Sequence, residues 1–253
     1  TSCGECYPCR KGRGNVCDHL AVRGVHIDGG YREYIAVPES DCYILPDQLS
    51  DVDAVMIEPT TIAIQSCTRA QLEQEDMLLL YGAGALGSSI LRIARQMCSH
   101  IIVADIMDDK LAEAKAAGAK YTINTQKEDF LEKVMEYTNG RGATVSIDAA
   151  CVKDSLLNLL KATGNAGRVI TMGFSTAPTE VNQCLITSKE LDVRGSRLQN
   201  KMFGKAIEMI NAGTLDLAGS VSHTYPLTQA QEAFNFLDTR DPSIRKIVLT
   251  FDF

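Results

Sequence analysis

The sequence predicts an α/β protein built on a doubly wound parallel sheet, and three observations carry that prediction. An apolar run of strand length, Met77–Tyr81, leads directly into Gly82-Ala83-Gly84-Ala85-Leu86-Gly87 and then into residues of helical period, Ile90, Ile93, Ala94 and Met97. A second apolar run, Ile101–Ala104, ends on an acid, Asp105, 18 positions beyond the last glycine. Strand and helix patterns then alternate as far as Ile210, as parallel strands joined by crossover helices require.

The chain opens differently. Four of its nine cysteines fall in the first 17 residues, as Cys3, Cys6, Cys9 and Cys17 in the pattern C-x2-C-x2-C-x7-C. Four thiolates on one compact turn can close a tetrahedron around Zn²⁺, with Zn–S near ~2.3 Å. Protein sulfur would fill every coordination position, so this zinc is expected to be structural, and its binding to fold an otherwise coreless loop. Arg10, Lys11 and Arg13 would offset the net negative charge of the centre. Cys42, Cys67, Cys98, Cys151 and Cys184 are scattered, mostly among apolar residues, and are expected in the core.

After the cysteines, Asp28-Gly29-Gly30 reads as a turn and Tyr31–Val37 as an alternating strand ended by Pro38. Ser50 is a suitable N-cap for a helix carrying Val52, Val55, Met56 and Ala63 at helical spacing. Pro59 is expected to split that helix, with Glu58 at the break. From pattern alone Glu58 is either a solvated helix residue or a functional carboxylate.

The glycine-rich stretch has a direct physical reading. Gly82 permits a tight turn, Gly84 lets a pyrophosphate approach the backbone, and Gly87 lets the helix pack on the strand. The phosphates would lie at the helix N-terminus. Asp105 would accept hydrogen bonds from the adenosine ribose and repel a 2′-phosphate, which favours NAD over NADP. Lys110, five residues on, is a cation able to tolerate that phosphate, but the acid is nearer the strand end.

Further strands are expected at Tyr121–Ile123, Thr144–Asp148, Arg168–Met172 and Leu191–Gly195, with helices at Asp129–Tyr137, Lys153–Leu160 and Met202–Ile210. Loops after parallel strands face the ligand, so Asp148-Ala149-Ala150, Gly173-Phe174 and Ser196-Arg197 are expected to line the nicotinamide end. The tail adds a helix and a strand that rejoin the first part of the chain.

Composition narrows the function. A net charge of −7 over 253 residues makes nucleic acid and anionic membrane poor partners, and small substrates fit better. The richest apolar stretch, Met77–Ala94, is broken by three glycines and falls short of the roughly 20 residues of a membrane span. No secretory signal is seen, so the cytoplasm is the expected compartment.

Taken together, the cysteine pattern, "DGGYREYIAVP", "IEP", "YGAGALG", "VAD" and "SHTYPL…KIVL" resemble the medium-chain zinc-dependent alcohol and polyol dehydrogenases over nearly the whole chain. Within that family "LAVRGVHIDGG", "AVMIEPTTIA", "DAAC", "MGFS" and "GSRLQ" look most like the bacterial starvation-sensing and L-gulonate or L-galactonate dehydrogenase branch. Sorbitol, galactitol-phosphate and threonine dehydrogenases resemble it more distantly.

The resemblance implies a Rossmann domain over residues 61–214 and a partial, mostly β GroES-like catalytic domain from residues 1–60 and 215–253. It implies a structural zinc on Cys3, Cys6, Cys9 and Cys17, and Glu58 at or beside a second, catalytic zinc. Cofactor contacts fall on Gly82, Gly84, Leu86, Gly87, Asp105, Lys110, Gly173 and Ser196, and Arg197 matches an arginine that reaches toward the zinc-side carboxylate. The activity implied is NAD-dependent oxidation of a secondary alcohol of a polyol or sugar acid, in a cleft between the two domains of a homodimer or homotetramer. His26 and Asp28 lie on a glycine-rich loop that either touches a polyhydroxylated substrate or is purely structural, and His223 reads as structural.

One departure stands out. The family's catalytic zinc also takes a cysteine and a Gly-His-Glu motif from upstream of the four cysteines, and none of His19, His26, His100 or His223 is followed by Glu. The chain is therefore expected to be a C-terminal portion of a dehydrogenase of ~340 residues, inactive by itself. A non-catalytic, NAD-sensing zinc protein is the alternative from another class. A zinc-independent quinone reductase fits less well, given the intact cysteine set and Asp105.

Overall fold

The computed structural model describes residues 1–239, 241 and 243–251. The chain forms two compact units, Thr1–Thr61 with Leu198–Phe253, and Ile62–Arg197. Residues 198–214, expected in the nucleotide domain, lie in the first unit. There Phe203 stacks on Tyr43 with ring centroids 5.4 Å apart, and Asn200 Nδ2 donates to the Gly12 carbonyl at 2.8 Å.

In the first unit a single helical turn, α1 (Tyr7–Arg10), sits inside the cysteine-rich loop, and α2 (Asp51–Ala54) is capped by Ser50, whose Oγ accepts the Asp53 N–H at 3.1 Å. The expected strand Tyr31–Val37 does not form. A strand needs a neighbour for its backbone groups, and among the described residues none pairs with this segment; Tyr31 and Tyr34 are 72% and 87% exposed.

Helix α3 (Ile57–Ala70) starts after a break at Val55-Met56, not at Pro59. Pro59 occupies the first turn of α3, where its missing N–H would have had no helical partner. Glu58 lies in the same turn.

The second unit alternates regularly: β1 (Met77–Tyr81), α4 (Ala85–Ala94), β2 (His100–Asp105), α5 (Asp108–Ala116), β3 (Tyr121–Asn124), α6 (Phe130–Tyr137), β4 (Ala143–Asp148), α7 (Ser155–Ala162), β5 (Thr163–Thr171), α8 (Cys184–Thr187) and β6 (Asp192–Gly195). The sheet order is β3-β2-β1-β4-β5-β6 and every pairing is parallel, with Leu79 between Ile102 and Ser146. Leu78, Leu79, Leu80, Ile102, Ile123 and Ile147 are fully buried. Continuous apolar runs suit strands covered on both faces, and their burial is the main stabilising term of this unit.

Two polar fastenings hold the amino-terminal side of the sheet. Asp76 pairs with Arg168 at 2.6 Å and accepts from Thr144 Oγ1 at 2.7 Å, while Arg168 also donates to the Ala70 carbonyl that ends α3. Lys189 Nζ donates to the carbonyls of Leu160, Lys161 and Thr163 at 3.0, 2.8 and 2.8 Å, closing the C-terminus of α7.

The chain returns to the first unit with α9 (Phe203–Asn211), β7 (His223–Pro226), α10 (Ala230–Asp238) and β8 (Ile247–Thr250), β7 and β8 pairing in parallel. Among the described residues these are the only two strands of that unit, with an isolated bridge at Arg23–Ile27. Of the scattered cysteines Cys67 and Cys98 are buried and Cys151 half-buried, but Cys42 and Cys184, expected in the core, are exposed. Cys42 follows a short helical turn and Cys184 begins one, both at the surface, where apolar neighbours in sequence do not imply burial.

Candidate functional site

The strand order reverses at β1 and β4, and in open parallel sheets the crevice beyond such strand ends receives the ligand. The glycine-rich turn stands there. Gly82 has φ +104°, and a Cβ on it would lie 2.7 Å from the Ala150 nitrogen. A Cβ on Gly87 would lie 2.0 Å from the Gly82 carbonyl oxygen. At Gly84 a Cβ would meet nothing within 4 Å, so the backbone is open to an approaching group where α4 begins. The three glycines thus divide into two required by packing and one that leaves room for a diphosphate. Leu86, half-buried, sits in the first turn of α4.

Asp105 ends β2 and turns back onto this loop. Its Oδ2 accepts the Ala83 N–H at 2.6 Å, and its Oδ1 accepts those of Ile106 and Met107 at 2.7 and 3.0 Å. A carboxylate offers about four acceptor positions, so capacity remains for a ribose hydroxyl. Lys110 is engaged with Glu113 at 3.2 Å, and α5 begins with Asp108 and Asp109, so the surroundings do not favour a 2′-phosphate.

Asn124, which sequence reasoning passed over, organises that turn. Its Nδ2 donates to the Ile106 carbonyl at 3.3 Å and to Asp108 at 2.6 Å, and its Oδ1 accepts the Gln126 N–H at 3.0 Å. Asp108 also pairs with Lys127. A polar residue closing the apolar strand "YTI" was the available signal.

Beyond β4, Asp148 is buried and occupied locally, accepting from Cys151 N at 2.8 Å and Ser155 Oγ at 2.6 Å. Of the expected Asp148-Ala149-Ala150 lining, Ala149 and Ala150 abut the glycine-rich turn. Gly173 packs against Cys151, whose thiol burial pushes up to about 11. Arg197 Cζ lies 5.8 Å from the centre of the exposed Phe174 ring. Ser196, beside Arg197, is 6% exposed, and no protein group among the described residues bonds its Oγ. A cavity of ≈ 790 Å³ is lined by Met77, His100, Ala143 and Thr163, at the starts of four strands, and so lies on the edge opposite the glycine-rich turn.

In the first unit the sulfur atoms of Cys3, Cys6, Cys9 and Cys17 all lie within 4.8 Å of one another. Three separations are 3.5, 3.7 and 4.0 Å, close to the edge of about 3.8 Å that a ZnS₄ tetrahedron would have. Amides of Cys3 and His19 donate to Cys17 Sγ at 3.3 Å, and that of Cys6 to Cys3 Sγ at 3.4 Å. Backbone donors bring the Cys3 thiol down to about 6, whereas desolvation and the neighbouring thiols push Cys9 up to about 12. Four thiolates this close oppose one another's ionisation unless a cation joins them. The donor set fits Zn²⁺ and closes its coordination sphere.

Glu58 is exposed, yet the protein around its carboxyl strips away hydration and raises its pKa above the ordinary value, with Lys246 pulling the other way. Among the described residues the four cysteines are the only group of three or more ligand-type side chains close enough to hold a metal. Among the described residues Glu58 therefore has no companion ligands, and they do not assemble a second zinc site. His26 Nδ1 accepts the Val22 N–H at 3.0 Å and Asp28 pairs with Arg32 at 2.8 Å, which shapes their own loop. His223 packs edge-on against Phe236 at 4.8 Å.

Comparison with known proteins agrees with this geometry. The family described as "Zinc-binding dehydrogenase" matches residues 85–212, and "Alcohol dehydrogenase GroES-like domain" matches residues 1–47. The starvation-sensing protein RspB of Escherichia coli K12 is 37% identical over 252 residues, covering 99% of this chain and 74% of that protein. D-arabitol-phosphate dehydrogenase of Enterococcus avium is 30% identical, over 92% of this chain and 68% of its own length. The crystal structure of an alcohol dehydrogenase (rspB) from E. coli CFT073, complexed with NADH, superposes with a TM-score of 0.92 at 37% identity, covering 99% of this chain and 74% of that one. A parallel six-stranded sheet with a glycine-rich first turn, a four-sulfur cluster and these two matches place the chain in the zinc-type medium-chain alcohol and polyol dehydrogenase family, oxidoreductases that work with zinc and NAD.

Proposed function

We propose that the protein serves the NAD-dependent oxidation of a secondary alcohol in a polyol or sugar acid of the L-gulonate or L-galactonate kind. The observation that carries the reading is Asp105, fixed by three backbone N–H groups onto the glycine-rich turn with acceptor capacity left for a ribose hydroxyl. Gly82, Gly84, Leu86, Gly87 and Asp105 hold the adenosine and diphosphate portion, Lys110 borders it, and Gly173 and Ser196 bear on the nicotinamide. Arg197 is the arginine proposed to reach toward the zinc-side carboxylate. Sorbitol, galactitol phosphate and threonine are the alternative substrates.

The chain's own residues bind and orient the cofactor. A bound zinc would act as a Lewis acid on the substrate hydroxyl, and Glu58 is the residue here suited to its coordination or its immediate surroundings. Turnover is proposed for the protein that carries the full ligand set. We place that protein in the cytoplasm as a homodimer or homotetramer; no helix among the described residues is long and apolar enough to cross a membrane.

A screen of L-gulonate, L-galactonate, sorbitol and threonine with NAD⁺ and NADP⁺ on the full-length protein tests the reading. Turnover with an aldonate and NAD⁺ is expected; no NAD⁺-dependent turnover with any of them refutes it. One observation favours a second reading, a zinc-bearing sensor of NAD without turnover: the closed four-sulfur set is the only metal cluster among the described residues. Two zincs per full-length subunit argue for the enzyme, one for the sensor.

A further inference from the structure

Helix α3 is almost wholly buried between Thr60 and Cys67, and Gln65 is a long polar side chain in that stretch, 5% exposed. Its Oε1 is fully enclosed, and no protein donor among the described residues reaches it. Leaving such a group without a partner is unfavourable. Ser196 Oγ, on the loop after β6, is in the same condition. Among the described residues just one other buried side-chain oxygen shares that description, Oδ1 of Asn15, a residue that takes part in a further interaction. The two unpartnered groups belong to the same unit.

Hydrogen bonds place both toward the same end of the sheet. Arg69 Nε donates to the Gly195 carbonyl at 3.2 Å, which fixes the level of α3 against β6. Arg168, at the start of the β5–β6 pairing, bonds the Ala70 carbonyl, so α3 runs antiparallel to the strands. Gln65 is one helical turn back from Arg69 on the same face, which moves it toward the carboxyl ends of the strands. Ser196 directly follows Gly195 and continues the sheet through its N–H to the Thr171 carbonyl at 2.9 Å. An amide whose oxygen lacks a partner and an unpartnered hydroxyl are therefore both placed toward the carboxyl end of β5 and β6.

We infer that Gln65 and Ser196 share one polar guest, the carboxamide of the nicotinamide ring, and that Gln65 is a further residue fixing the orientation of that ring. The proposal rests on the dinucleotide reading above. A side-chain amide is the natural complement of a carboxamide, since each has a carbonyl to accept and an NH₂ to donate. A serine hydroxyl both donates and accepts, and rotation of either side chain about a single bond is inexpensive.

The test uses the 253-residue chain with NADH and with ADP-ribose, which lacks the nicotinamide, binding each to wild type, Gln65→Leu and Ser196→Ala in calorimetric titrations. Gln65→Leu is expected to weaken NADH binding about three- to tenfold, leave ADP-ribose binding unchanged, and raise the unfolding temperature of the ligand-free chain. A residue with only a structural role would not yield greater stability together with a nicotinamide-specific loss. Ser196→Ala should show the same selectivity and covers the case in which Gln65→Leu does not fold. Wild-type NADH affinity in both variants, or equal loss for both ligands, overturns the proposal alone. A wild-type chain that binds neither ligand overturns the dinucleotide reading and the proposal with it.

Discussion

Gly84 and Gly87 stand three residues apart and should answer a methyl group in opposite ways. At Gly87 a Cβ would press 2.0 Å from the Gly82 carbonyl, an unyielding backbone atom. Gly87→Ala is expected to cost about 1–3 kcal/mol of stability, seen as a lower unfolding midpoint. At Gly84 nothing is near, so Gly84→Ala should leave that midpoint in place and weaken NADH binding about tenfold by crowding the diphosphate. Asp105 is proposed to decide between cofactors: Asp105→Asn removes the charge that would face a 2′-phosphate and should cut the preference for NADH over NADPH about tenfold, measured as a ratio of dissociation constants. Equal affinity of the wild type for both would refute its assigned role. These residues were legible because each carries its reason in its type and spacing. Gln65 was not: within "IAIQSC" a glutamine fits a helix, and sequence cannot show that its oxygen has no partner.

At the level of elements, strands and lobe differ in what made them readable. The runs at the centres of β1 and β2 are apolar because both faces are covered, so their character is intrinsic to the segment. Tyr31–Val37 alternates well, but alternation describes a strand only if something pairs with it, and that depends on distant chain. Helix α3 was placed with its break too late, since proline is tolerated in a first turn and the pattern alone cannot say where that turn begins. The cysteine lobe depends on its metal. Chelation should expose Arg10, Lys11 and Arg13 to trypsin while amide exchange in β1, β2 and β4 stays slow, and Cys17→Ser should reproduce the cleavage without chelator. Zinc analysis of this chain should find one ion. The turn between β2 and α5 makes a further case: Asn124→Leu removes the amide that ties Ile106 and Asp108 together, and should narrow the NADH-over-NADPH preference more than it lowers binding of AMP.

On the scale of the whole molecule, the sheet unit rests on one apolar core and a few polar fastenings at its amino-terminal edge. Asp76 and Arg168 are mostly buried as a pair, with Thr144 and the end of α3 joined to them. Asp76→Ala would leave the guanidinium buried without its anion, at a cost of about 3–5 kcal/mol in urea unfolding of the chain. The site at the opposite edge should keep its geometry in the fraction that remains folded. There, the hydrogen bond from the Ala83 N–H to Asp105 joins what are usually treated as separate recognition elements, the diphosphate turn and the ribose acid. Energies of binding the two halves of the dinucleotide should consequently fail to sum: occupancy of one half by AMP preorganises the turn for the other, and substitutions at Asp105 and Gly84 should show a coupling energy in a double-mutant cycle.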